Sequence, residues 1–127
     1  MIKQIIDVNG YWKVIVYYDI NYNLFDYIAK DLRDIKIDKK VIERVYNTMK
    51  TRRAKAATLS NTNIPISVVL FNAHTNKYDY INSIVHEAEH IKQYILRYYN
   101  IEDKGEEPAY TIGYLVMKMI MFLNMLC

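Results

Sequence analysis

Residues 64 to 99, "IPISVVLFNAHTNKYDYINSIVHEAEHIKQYILRYY", join a short β-branched run to a long stretch carrying His-Glu-Ala-Glu-His at positions 86 to 90. Ile64 to Phe71 reads as a strand, and its early proline suits an edge or a first position. Asn72 to Lys77 turns the chain into a helix from about Tyr78 to Tyr99. At about 100° per residue, Asp79, Asn82, Ser83, His86, His90, Gln93 and Arg97 form one polar stripe, and Ile81, Ile84, Ala88, Ile91 and Ile95 the opposite apolar one. The two histidines therefore share a polar face one turn apart, where a pair of imidazoles can hold a single metal ion.

Upstream, Ile2 to Tyr18 reads as a β-hairpin with strands near 2 to 8 and 11 to 18. Between them Asn9-Gly10 is the pair that best tolerates the positive φ angles of a two-residue turn. Leu24, Ile28, Leu32 and Ile35 recur at helical spacing after Asn23, a candidate cap. A second helix carries Val41, Ile42, Val45, Tyr46 and Met49 behind Asp38. Ser60 to Asn63 reads as a loop. Downstream, Asn100 to Gly105 is a loop, and Glu106-Glu107-Pro108 opens the last helix, because acids and proline both favour a first turn. The order ββααβαα makes this an α+β chain. A small sheet, the N-terminal hairpin plus one further strand, packs with about four helices.

Composition bounds the function. The 127 residues suit a single domain, 1–127, with 52% hydrophobic and 24% charged residues, the balance of a folded protein. The net charge is only +3. Its densest cationic run, Lys50-Thr51-Arg52-Arg53-Ala54-Lys55, reads as a solvated helix end, so nucleic acid is not an expected partner. The single cysteine, Cys127, excludes a disulfide framework and a thiolate zinc cluster. Asp7 interrupts the N-terminal apolar stretch, and Lys118 and Asn124 interrupt the one at 111–127. Neither a signal peptide nor a membrane span is expected, and the expected location is cytoplasmic. Abundant Ile, Asn, Lys and Tyr point to an AT-rich coding genome, bacterial or phage. Met117, Met119, Met121 and Met125 fall on several faces of the last helix, which suits a buried helix or one that contacts another subunit.

The order strand, His86-Glu87-x-x-His90 helix and following helix, over roughly residues 64 to 115, resembles the zincin metallopeptidases, and more narrowly a minimal gluzincin. The resemblance implies a zincin-like fold whose motif core spans about 64–127, with zinc held by His86 and His90. Glu87 is then the general base toward a zinc-activated water, and a peptide is the substrate. Glu106 is the expected third ligand, since Glu106-x-x-Ala109 resembles the pattern that opens the corresponding helix. Glu107 is the alternative, and Tyr110 a further ligand or an oxyanion stabiliser. A helix running to Tyr99 would end about 13 Å beyond His90. An antiparallel partner would then start level with Tyr98, too far for Glu106 to reach the metal unless the helix ends early or the loop doubles back. The competing reading is a non-catalytic zincin-fold assembly or virion protein that makes its contacts through the C-terminal helix.

Overall fold

A computed structural model describes residues 1–126, and Cys127, the sole cysteine, lies outside the described residues. Strands β1 (Ile2–Val8) and β2 (Trp12–Tyr18) lead into helices α1 (Phe25–Asp34) and α2 (Lys39–Lys50). Strands β3 (Ala56–Ser60) and β4 (Ile66–Phe71) come next, then helices α3 (Lys77–Tyr99) and α4 (Glu106–Met125). The four strands form one open mixed sheet in the order β1-β2-β4-β3, antiparallel at both margins and parallel between β2 and β4.

Asn9 and Gly10 both hold the expected positive φ, and the Tyr11 N–H closes the turn onto the Val8 carbonyl, but the loop between the paired strands has three residues instead of two. Pairing resumes at Val8 opposite Trp12, so β2 begins one residue late and Tyr11 is left at the tip. Asp38 caps α2 by accepting from the Lys40 N–H at 2.8 Å. Asn23, by contrast, does not cap α1. A short 3-10 turn over Tyr22–Leu24 precedes that helix, and Asn21 caps the turn.

One sequence expectation is corrected. The sheet has four strands rather than three, because Ala56–Ser60 pairs antiparallel with β4. β4 is consequently an interior strand, and Pro65 lies just outside it, offering its carbonyl to Lys13 N–H at 3.1 Å. Proline's missing donor is harmless there.

Alternation along the strands gives the sheet two apolar faces and hence two cores. Val14, Val16, Val69 and Phe71 pack under α3 and α4, meeting Ile84, Ala88, Ile91, Leu115 and Met119. Ile15, Tyr17, Val68 and Leu70 pack against Ile28, Leu32 and Met49 of α1 and α2 on the other face. Each such large aliphatic side chain contributes about 1.5–3 kcal/mol on full burial. The result is three layers, with α3 lying over β3 and β4, and α4 reaching β1.

Candidate metal centre

The apolar stripe of α3 determines which side of the helix faces the sheet, and that choice positions the motif. Ile84, Ala88, Ile91 and Ile95 are buried in the core, which turns His86 and His90 outward to solvent along the β3 side. Their Nε2 atoms stand 3.1 Å apart. Two nitrogens bound to one tetrahedral zinc at about 2.0–2.1 Å stand about 3.3 Å apart, so the pair has the spacing of two ligands of a single ion.

Glu87 turns inward toward β3, next to the histidines, and is only 4% exposed. Its Oε1 accepts a hydrogen bond from the Thr58 hydroxyl at 2.8 Å, and its Oε2 stands 4.0 Å from His86 Nε2. That is wider than the spacing of the two imidazole nitrogens. His86, Glu87 and His90 form one group of ligand atoms lying within 4.8 Å of one another. No protein-family model matches the chain, and neither the curated proteins nor the solved structures yield a match. The meaning of the group therefore rests on its own geometry.

Glu106, Glu107 and Tyr110 are not brought into the group. α3 continues to Tyr99, held there by Trp12, whose ring meets Tyr98 edge-on at 5.4 Å and Tyr99 at 6.3 Å. Asn100 then ends the helix in the left-handed conformation. Both glutamates are exposed in the first turn of α4, at the far end of α3 from the motif. Glu107 and Tyr110 instead line a cavity there.

Thr58 had no signal in the sequence. It is 29 residues from Glu87 and meets it only because β3 pairs beside β4, beneath α3. The Asn72 N–H donates to the Lys55 carbonyl at 3.0 Å, which extends the β3–β4 ladder by one residue. Main-chain groups alternate along an antiparallel ladder, so those of Ala56, Thr58 and Ser60 turn toward the open edge of the sheet. The free edge thus belongs to the strand whose Thr58 bonds Glu87.

The loop that feeds α3 is pinned in several places. His74 Nδ1 lies 2.6 Å from the Asn72 carbonyl, which can only accept, so Nδ1 carries a proton, and Nε2 is hydrogen-bonded with the Ser83 hydroxyl at 2.8 Å. Asn72 is buried, donates to the carbonyls of Met49 and Ala54, and accepts from the Tyr22 hydroxyl. Arg52 donates to the Ala73 carbonyl and Lys55 pairs with Asp79, so part of the cationic run is engaged within the chain.

Beyond His90, Lys92 is 7% exposed and held between Glu89 and Asp103, each at 2.9 Å. The hydrogen bond to Asp103, then that to Glu89, holds the Lys92 ammonium above its ordinary pKa. Asp103 is lowered by its bond from Lys92, and Glu89 by bonds from Gln93 and then Lys92. This cluster ties the α3–α4 loop to the motif helix. Among the described residues no helix is long and apolar enough to cross a membrane.

Proposed function

We propose that the chain is a zinc-dependent peptidase with a zincin-like arrangement of β3, β4 and α3. The observation that carries this reading is the 3.1 Å separation of the His86 and His90 Nε2 atoms beside a buried carboxylate. His86 and His90 would hold the ion, and zinc bound there would supply Lewis acidity toward water and a peptide carbonyl. Thr58 occupies one oxygen of Glu87 and leaves Oε2 free on the histidine side. Glu87 Oε2 is therefore the atom suited to take a proton from the attacking water and pass it to the leaving amine. An extended peptide can add to the open edge through the main-chain groups of Ala56, Thr58 and Ser60. This brings its scissile bond alongside the motif helix.

Elemental mass spectrometry of the purified protein, with His86→Ala and Glu87→Gln beside wild type, tests the site. About one zinc per chain is expected. It should be lost in His86→Ala and kept in Glu87→Gln, while cleavage of a peptide library is lost in both. A chain that takes up no zinc when supplied with it refutes the reading.

A second reading, an assembly protein on the same scaffold, is favoured by Met117, Met121 and Met125, exposed at four-residue intervals along α4. A concentration-dependent mass in light scattering, abolished by Met121→Lys, would support it.

A further inference from the structure

At the end of the molecule remote from the histidine pair, the hairpin tip, the last turns of α3 and the first half of α4 border a half-open cavity of about 790 Å³. Four tyrosines, Tyr11, Tyr99, Tyr110 and Tyr114, line it. Two are fixed: the Tyr99 hydroxyl donates to the Tyr11 carbonyl at 2.7 Å and the Tyr114 hydroxyl to the Asp7 carbonyl at 3.0 Å. Their hydroxyls are thus spent on the hairpin, and their rings form part of the wall. Tyr110 is 69% exposed at the mouth. The rest of the wall is mainly aliphatic.

Among the described residues, Glu107 is the only charged one in the lining. With Glu106 it puts two carboxylates in the first turn of α4, which turns an anion away from the exposed N–H groups there. Tyrosine faces attract positive charge. Lys118, which is outside the lining, makes one such contact, its Nζ 5.6 Å from the Tyr114 ring centre.

Gly113 supplies an independent observation. It lies inside α4, where glycine costs about 1 kcal/mol relative to alanine. Nothing lies within 4 Å of where a Cβ would project, so no close approach of another element requires it. It lines the cavity, and what its missing side chain provides is room.

We propose that this cavity is a binding site for a small organic cation, an ammonium carried on a compact apolar body, with Glu107 as counter-charge, the tyrosines as walls and Gly113 as the recess. The proposal stands independently of the metal centre.

Benzyltrimethylammonium is the probe, with benzyl alcohol and benzenesulfonate as neutral and anionic comparators. Binding is read by calorimetry and by the fluorescence of Trp12, the sole tryptophan, which touches Tyr99. The cation should saturate a single site, bind more tightly than benzyl alcohol, and lose about tenfold in affinity in Glu107→Gln, or about 1.4 kcal/mol. Binding should vanish in Gly113→Leu, whose side chain fills the recess. Cation binding no tighter than that of the alcohol, binding of the sulfonate in its place, or no binding at all overturns the proposal. So does binding that survives in a folded Gly113→Leu protein. Should Gly113→Leu fail to fold, Tyr110→Ala, at an exposed position, must weaken binding, and unchanged affinity there overturns the proposal equally.

Discussion

Thr58→Val is the most exacting perturbation of the candidate site, because valine keeps the shape and β-branching of threonine and removes only the hydroxyl. That hydroxyl donates at 2.8 Å to a carboxylate that is 4% exposed. A hydrogen bond to a charged group contributes about 1.5–3 kcal/mol, and the loss is felt in full where water cannot replace the donor. With a melting entropy of about 2.1 cal/mol/K per residue, a chain of this length shifts its Tm by about 7 °C for a loss of about 2 kcal/mol. Calorimetric melting of Thr58→Val should show a fall of that size. The same substitution in a Glu87→Leu background should cost little, because both partners are then apolar. The double-mutant cycle should therefore return a coupling of about 1.5–3 kcal/mol. A coupling below about 0.5 kcal/mol would refute the claim that Thr58 holds Glu87 in place.

Zinc at a hundredfold excess over its Kd should stabilise the wild-type chain by about 2.7 kcal/mol, or roughly 10 °C in Tm. The shift should be absent in His86→Ala and intact in Glu106→Gln, and its loss in Glu106→Gln would mean that α4 does reach the ion. Gly113→Ala should raise Tm by roughly 4 °C, since it removes the helix penalty of glycine and meets no neighbour, and a fall in Tm would contradict the open space beside it. The Glu89–Lys92–Asp103 cluster sets a pH window. The carboxyl pKa values are depressed, so their stabilisation is present above the ordinary carboxylate range and is lost as pH falls through the folded values. That of Lys92 is raised, so its stabilisation holds below its ordinary value and is lost as pH rises through the folded one. Asp103→Asn should therefore melt below wild type at pH 6, with the gap closing below about pH 4. A gap that stays constant with pH would show that the pairing does not act.

The spacing of His86, Glu87 and His90 was legible in the sequence because it is a property of one helix: positions four apart share a face whatever the helix packs against. Local rules also reached the Asn9-Gly10 turn, the Asp38 cap and the alternating strands of the hairpin. They did not reach β3. Ala56-Ala57-Thr58-Leu59-Ser60 has too little apolar contrast to declare itself, and it is a strand because β4 offers it a ladder. With β3 hidden, so are Thr58 and the fact that β4 is interior.

Glu106 illustrates the same division from the other side. Its residue type and its place at the start of a helix suited a third ligand, yet its distance from the histidines depends on where α3 stops. Trp12, Tyr98 and Tyr99 decide that by packing between the hairpin and the end of the helix. Residue spacing within one element is fixed by backbone geometry and can be read from the chain. The meeting of Glu87 with Thr58, and the separation of Glu106 from His90, depend on contacts between elements far apart in sequence, and only the packed structure holds that information.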